Sequence, residues 1–295
     1  MRFRDWATRI ILISMLLIGL AIALFIGEAA KLQNQIATSN PGAMDWSQYP
    51  PVQFQSAKTQ DREAKKVPKS PVKPKSPVKN NQPTVRYRTT TAFAQYRPRY
   101  EIAKVDPSNY GERYGRDANG LPLNNEPIVV IHETSNSASS AVNFFQTPHT
   151  DESVQASYHS LIKLDGTVVY LVPPDKRAFG AGNSVFVGSK GTETVQTNPG
   201  LPPSVNNFAY HVSLETPPDA WGINNIQSHS GYTEAQYNSL AWLLAQSQIP
   251  IERFTTHKAV DRSGKKVDPL SFDANKFLNL MRAFRQAVPI NRAQQ

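Results

Sequence analysis

The segment from about Pro41 to Tyr100 lacks the repeating apolar positions from which helices and strands are built. Its centre, VPKSPVKPKSPVKNNQP, nearly repeats Lys-Ser-Pro-Val-Lys. Such a stretch buries too little apolar surface to offset the conformational entropy lost on ordering, and its prolines and like charges favour an extended chain. We therefore predict a disordered linker over residues 28–99, which confines the folded domain to residues 100–290.

The positive charge of the chain is concentrated in that linker. Residues 58–88 carry ten basic and two acidic side chains, which is +8 of the formal net charge of +9. Residues 89–295 carry eighteen of each and are neutral. A neutral domain has no excess positive charge with which to bind phosphates, so nucleic acid is not an expected partner. Because the chain contains no cysteine, a metal ion would have to be held by histidines and carboxylates.

An uncharged apolar run of eighteen residues, residues 10–27, follows three arginines near the N-terminus. At ~1.5 Å per residue a helix of this length reaches ~27 Å, close to the ~30 Å thickness of the hydrocarbon core of a bilayer. We predict a transmembrane helix over residues 10–27, after a basic cytoplasmic N-terminus formed by residues 1–9. The positive-inside rule then places the folded domain outside the cytoplasm, on the periplasmic or cell-wall side of the membrane. A cleaved signal peptide over residues 1–27 is the alternative, and it would give a secreted domain.

Helix and strand patterns follow one another in the remainder of the chain. Residues 127–132, PIVVIH, form an almost continuous apolar run that is typical of a buried strand. SYHSLIKL and TVVYLV flank an Asp-Gly pair, which predicts a hairpin, and FAYHVSLE alternates as a strand with two different faces does. A capping box at Thr233 predicts one helix, and SFDANKFLNLMRAFRQAV predicts an amphipathic closing helix that extends to Val288. The expected fold is α/β, with a central mixed β-sheet flanked by helices.

Two histidines and an aspartate form a candidate metal site. His132 ends the apolar strand, and His257 ends the possible strand IERFTTH. Strand ends that open into loops are where open sheets place their functional sites. Asp268 follows His257 by eleven residues, and two imidazoles with one carboxylate suit Zn²⁺ with a coordination position left for water. The spacing alone is a weak signal, because no short His-x-x-x-His pair fixes the geometry.

Five sequence blocks occur in an order that resembles a known enzyme family. The blocks are IVVIHET, ASYHSLIKLDGTVVYLVPPDKRAFGAG, YHVSLET, YTEAQYNSLAWLLA and THKAVDRSGKKVDPLSFD. Together they resemble the zinc-dependent N-acetylmuramoyl-L-alanine amidases, the type shared by phage lysozyme-like amidases and peptidoglycan recognition proteins. The resemblance covers roughly residues 128–280. The segments DPSNYGERYG, RAFGAGNSVF and PPSVNNFAYHVSLETPP are similar to those of the cyanobacterial branch.

The resemblance implies three zinc ligands and three catalytic residues. The implied ligands are His132, His257 and Asp268, and the implied catalytic residues are Glu215, Lys266 and Tyr158. Glu215 matches the acidic residue expected to act as general base, and Lys266 matches the lysine that faces the developing oxyanion. Tyr158 stands where some phage members have a catalytic tyrosine. Many relatives have histidine after the aromatic residue of the Arg-Ala-aromatic segment, where this chain has Gly180.

The activity implied by the resemblance is zinc-dependent hydrolysis of the amide bond between N-acetylmuramic acid and L-alanine of peptidoglycan, in remodelling or turnover of the cell wall. Peptidoglycan is thus the expected substrate, and residues 182–207, rich in Gly, Pro, Ser and Asn, are expected to line an open groove. Three alternatives remain open. They are a non-catalytic peptidoglycan-binding receptor on the same fold, a zinc peptidase that cuts within the stem peptide, and a structural element that tethers the wall to the membrane.

Overall fold

The computed structural model describes residues 85–289. The predicted cytoplasmic N-terminus, the predicted transmembrane helix and most of the predicted linker lie outside the described residues. Among the helices that are described, none combines the length and apolar character needed to cross a membrane.

A six-stranded mixed sheet forms the centre of the fold. In order across the sheet its strands are β11 (Phe254–Thr256), β4 (Ile128–Glu133), β10 (Ala209–Leu214), β5 (Ser160–Ile162), β6 (Val168–Tyr170) and β2 (Tyr100–Ile102). β11, β4, β10 and β5 are parallel neighbours, β6 runs antiparallel to β5, and β2 is parallel to β6. The predicted mixed α/β sheet is therefore confirmed.

The remaining elements surround this sheet. Three antiparallel pairs are formed by β1 (Val85–Thr89) with β12 (Arg285–Pro289), β3 (Tyr110–Glu112) with β7 (Lys176–Ala178), and β8 (Phe186–Gly188) with β9 (Gly191–Glu193). The α-helices are α1 (Thr91–Gln95), α2 (Ala138–Gln146), α3 (Glu234–Ala245), α4 (His257–Val260) and α5 (Ala274–Phe284). Short 3₁₀ turns cover Pro107–Asn109, Pro218–Ala220 and Ile251–Arg253.

The hairpin between β5 and β6 forms at the predicted Asp-Gly turn. Asp165 accepts a hydrogen bond from the backbone N–H of Thr167, and Gly166 has φ +82°. That backbone conformation is readily adopted by glycine and costs other residues about 1–2 kcal/mol. A Cβ atom at Gly166 would also lie 2.8 Å from the carbonyl oxygen of Ala235, so the turn packs closely against the start of α3.

The structure corrects the two ends of the predicted domain. Residues 85–99 belong to the predicted linker, but they contain β1 and α1, and β1 pairs with β12 along its whole length. The predicted closing helix ends at Phe284 instead of continuing to Val288, because Arg285 turns into β12. The guanidinium of Arg285 donates to the carbonyls of Ser247 and Ile249, which holds the chain in its extended course.

The two faces of the sheet have different partners. On one face Val129 and Ile131 of β4 belong to the main apolar core, with residues of α3 and α5. On the other face Ile128 and Val130 pack against segments that precede and follow β10. Each fully buried side chain of this size contributes roughly 1.5–3 kcal/mol to folding. His132 shares the face of Ile128 and Val130, because side chains alternate along a strand, so this second face carries the candidate site.

Candidate metal centre and adjoining cleft

The register of three parallel strands brings two of the predicted histidines to one edge of the sheet. β4 lies between β10 and β11, and His132 is the last but one residue of β4. His257 follows β11 directly as the first residue of α4, whose start is capped by the side chain of Thr256. Carboxyl ends of parallel strands meet at the same edge, which is where open sheets place their sites.

Asp268 completes a cluster with these two histidines. One possible ligand atom from each of His132, His257 and Asp268 lies within 4.8 Å of the other two. His257 Nδ1 is 3.1 Å from the Asp268 carboxylate, and His132 Nδ1 is 3.5 Å from it. The backbone N–H of Lys258 donates to the carbonyl of Asp268 at 2.9 Å, which ties the loop that carries the aspartate to α4. The structure thus brings the three predicted ligands together.

Burial and the contacts within the cluster together determine its protonation. Burial lowers the pKa of His132 to about 4, and the nearby charge of His257 acts in the same direction. Burial alone would raise the pKa of Asp268, but interaction with His132 and His257 outweighs it and lowers the pKa below its ordinary range. At neutral pH His132 is therefore an uncharged imidazole beside an ionised carboxylate.

This donor set fits a zinc ion. Two imidazole nitrogens and one carboxylate are a common ligand set of catalytic zinc sites. His132 Nδ1 is buried and has no hydrogen-bond partner among the described residues, since the Asp268 oxygen at 3.5 Å is too distant for a good hydrogen bond. Buried polar atoms normally have a partner. The unpartnered His132 Nδ1 is accounted for if His132, His257 and Asp268 all coordinate one cation.

A cleft of about 690 Å³ adjoins the cluster. Its lining includes His257, Lys266, Tyr158, Arg177, Phe179 and Gly180. The predicted groove loop, residues 182–207, contributes a wall through Asn183, Asn198 and other residues. A second cavity of about 260 Å³ lies beside α2, and Tyr158 lines both spaces. The cluster therefore borders an open cleft rather than a closed pocket.

Two of the three predicted catalytic residues lie at this cleft. The ring of Tyr158 is 4.7 Å from the ring of His132. Burial, with a contribution from the charge of Asp268, raises the pKa of Tyr158 above its ordinary value, so its O–H remains a hydrogen-bond donor at neutral pH. Lys266 is exposed at the rim, and its charge helps to lower the pKa of His132.

The third predicted catalytic residue, Glu215, has a different environment. Its Oε1 accepts a hydrogen bond from the backbone N–H of Ala138, and its Oε2 accepts one from that of Leu164, both at 2.8 Å. The carboxylate thus caps the start of α2 and holds the β5–β6 turn. Both oxygens are therefore engaged by backbone donors, and the role of Glu215 as general base stays a prediction.

Two residues beside the cluster, the buried His211 and the partly buried Glu133, are not among the predicted site residues. His211 Nδ1 lies 2.9 Å from His132 Nε2. Glu133 Oε2 accepts hydrogen bonds from Leu270 N–H at 2.8 Å and from His229 Nε2 at 3.0 Å, which anchors the loop that follows Asp268. The alternating pattern of β10 could have placed His211 on the face of the site, but no sequence signal identified Glu133.

Comparison with protein families identifies one family that the chain matches. Residues 124–271 match the Amidase_2 family, N-acetylmuramoyl-L-alanine amidase. No curated protein matches the chain. Among solved structures, an AmpD derivative is 25% identical over 61% of this chain and 93% of its own, with a TM-score of 0.42.

Two further solved structures are complexes. AmpDh3 from Pseudomonas aeruginosa, with anhydromuramic pentapeptide, is 17% identical over 56% of this chain and 65% of its own, with a TM-score of 0.39. AmiD from E. coli, with anhydro-N-acetylmuramic acid-L-Ala-D-gamma-Glu-L-Lys, is 19% identical over 58% of this chain and 65% of its own, with a TM-score of 0.40. The family match includes His132, His257 and Asp268.

Proposed function

Because the chain belongs to the N-acetylmuramoyl-L-alanine amidase family, we propose that the cluster of His132, His257 and Asp268 is the zinc centre at which it acts. The chain is an amidase that hydrolyses the bond between N-acetylmuramic acid and L-alanine of peptidoglycan. The observation that carries the proposed site is the convergence of these three side chains, from separate parts of the matched region, at one edge of the sheet.

The residues at the cleft have distinct proposed roles. A zinc ion held by the three ligands would act as a Lewis acid towards the scissile carbonyl and would lower the pKa of water. Lys266 offers an ammonium group, and Tyr158 offers an O–H, to the negative charge that develops on the carbonyl oxygen. One such donor typically lowers the barrier by ~2.7–4 kcal/mol. The ionised carboxylate of Asp268 supplies negative charge to hold a divalent cation, and the uncharged imidazole of His132 offers a lone pair without adding positive charge.

The shape of the site suits a substrate with two arms. The scissile amide joins a glycan to a peptide, so both must fit on either side of the reacting bond. The large cleft and the smaller cavity beside α2 share Tyr158 as a lining residue, which supports a substrate that extends into both. An open cleft also admits a polymer that a closed pocket would exclude.

The activity is tested on the full chain with purified cell-wall sacculi. Mass spectrometry should find stem peptides with a new amino terminus at L-alanine, and the protein should contain about one zinc per chain. Chelation should abolish the release of peptides, and added zinc should restore it. His132→Ala should lose both zinc and activity. Zinc without any release of peptides would instead indicate a receptor, and a new amine within the peptide would indicate a peptidase.

We also propose that residues 10–27 anchor the protein in the cytoplasmic membrane, with the amidase domain on the cell-wall side. The length of this apolar run and the arginines before it support an uncleaved anchor. Recovery of the intact N-terminal peptide from alkali-washed membranes would support this topology, together with digestion of the domain by protease added to spheroplasts. A mature N-terminus within or just after residues 10–27 would show that the segment is a cleaved signal.

A further inference from the structure

A second imidazole lies directly behind the candidate ligand His132. The side chains of His132 and His211 are fully buried on adjacent strands, β4 and β10, and their rings are 5.1 Å apart. His132 Nε2 and His211 Nδ1 are 2.9 Å apart, a hydrogen-bond distance. A metal-binding imidazole commonly passes its other N–H to a carboxylate, a backbone carbonyl or water, which fixes its tautomer and its orientation. Here the group in that place is another histidine.

The direction of this hydrogen bond follows from the position of the cluster. His132 Nδ1 faces Asp268, so it must carry a lone pair if it is to coordinate a cation. The proton of a neutral His132 is then on Nε2, which donates to His211 Nδ1. The proton of His211 is in turn on its own Nε2, which is buried and has no hydrogen-bond partner among the described residues. An unpaired buried donor disfavours folding, so stability alone does not account for this histidine.

Gly180 makes the space in which His211 lies. A Cβ atom on residue 180 would be 2.5 Å from both Cγ and Nδ1 of His211, which is closer than non-bonded atoms approach. On another side, the backbone N–H of His211 donates to His159 Nδ1 at 2.9 Å. The two imidazole rings stack with their centroids 5.8 Å apart. The glycine that departs from the family pattern is therefore coupled physically to the histidine behind the cluster.

We propose that His211 is a positioning residue that fixes the tautomer and orientation of His132 for metal binding, and that Gly180 is needed to admit its ring. The inference rests on the proposed zinc centre and adds a supporting residue to it. The roles of the two neighbouring histidines differ. His211 contacts a candidate ligand, whereas His159 accepts a hydrogen bond from the backbone of β10.

The test measures zinc affinity of the full chain by competition with a chromogenic chelator. His211→Ala should raise the zinc dissociation constant about 10–100-fold, as loss of a hydrogen-bond partner of a ligand does in other metal sites. His211→Asn should largely restore affinity, because its amide oxygen can take the place of Nδ1, whereas His211→Gln should not. His149→Ala is the matched control, since His149 bonds to Asn109 outside the cluster.

Two further measurements separate positioning from a general loss of structure. Gly180→Ala should weaken zinc binding in the wild-type background but should have little effect in His211→Ala, where the space is vacant. The visible absorption bands of the cobalt-substituted protein should change in His211→Ala and return towards wild type in His211→Asn. Additive effects of the glycine and histidine substitutions would overturn the coupling.

The outcomes distinguish this inference from the function on which it rests. If the wild-type chain binds zinc tightly and His211→Ala binds it equally well with an unchanged cobalt spectrum, His211 is not a positioning residue and the amidase proposal stands. If the wild-type chain binds no zinc, both proposals are overturned. If His211→Ala does not fold, Gly180→Ala and His211→Gln decide the matter, because each leaves a side chain in the same space.

Discussion

Glu215 and Lys266, two acidic or basic residues near the site, differ in how much the fold depends on their side chains. Glu215 is buried and accepts hydrogen bonds from two backbone N–H groups, whereas Lys266 is exposed at the rim of the cleft. Removal of a buried acceptor leaves its donors without partners, while removal of an exposed cation leaves the fold unchanged. Loss of Glu215 should therefore lower stability, whereas loss of Lys266 should leave stability unchanged.

Glu215→Ala should lower the free energy of unfolding by about 2–4 kcal/mol, because the amides of Ala138 and Leu164 lose their acceptor. Unfolding in urea measures this loss. If Glu215 is also the general base, as predicted, the rate of peptide release per folded, zinc-loaded molecule should fall as well. A rate close to that of the wild type would show that the role of Glu215 is structural alone.

Lys266→Met should slow the release of stem peptides about 10²–10³-fold, because it removes a cationic donor from the charge that develops on the carbonyl oxygen. Its zinc content and its urea midpoint should match those of the wild type, since the side chain is exposed. Lys265→Met is the matched control, because Lys265 is the exposed neighbour in the same loop. Equal rates for the two variants would show that Lys266 has no part in catalysis.

Some strands of the fold are indicated by their own sequence, whereas others depend on a pairing partner that is distant in the chain. β4, β10 and the β5–β6 hairpin could be predicted, because apolar runs, alternation and an Asp-Gly turn are local signals. β1 and β12 could not, since each is a strand only because the other pairs with it from about two hundred residues away, Val85 with Pro289. Pairing partners of this kind leave no periodicity in either segment.

The same distinction applies to the site. His132, His257 and Asp268 could be predicted because strand ends and a family pattern point to them. The family pattern points to Glu215 as a catalytic residue, but the hydrogen bond that its carboxylate accepts at the start of α2 is visible only in three dimensions. His211 could not be distinguished from a structural histidine, because its relation to His132 depends on the register between two strands.

The hairpin turn offers a test at the scale of an element. Gly166 and Gly120 both have φ +82°, but a Cβ at Gly166 meets the Ala235 carbonyl at 2.8 Å, whereas a Cβ at Gly120 meets nothing within 4 Å. Gly120→Ala should therefore show the strain of the backbone alone, about 1–2 kcal/mol. Gly166→Ala should lose about 1–3 kcal/mol more because of the clash, as measured by unfolding in urea. Equal losses would mean that the turn moves freely away from α3.

At the scale of the whole molecule, buried histidines make the stability of the metal-free protein depend on pH. Burial lowers the pKa of His132 to about 4 and holds the pKa values of His159 and His211 well below the ordinary value. The unfolded chain therefore binds more protons than the folded chain between pH 6.5 and pH 4, and stability must fall as the pH falls through this window. The lowered pKa of Asp268 contributes only at still lower pH, where that carboxylate is protonated in the unfolded chain.

Acidification from pH 7 to pH 5 should thus destabilise the metal-free protein by about 2 kcal/mol through His132 alone, and by more when the other two buried histidines are included. Urea unfolding in the presence of chelator at the two pH values measures the difference. His149→Ala should retain the full dependence, because His149 is outside this buried group, whereas His211→Asn should reduce it, because one titrating imidazole has been removed. Stability that is equal at pH 7 and pH 5 would contradict the burial of uncharged imidazoles around the site, because the folded chain would then take up as many protons as the unfolded chain.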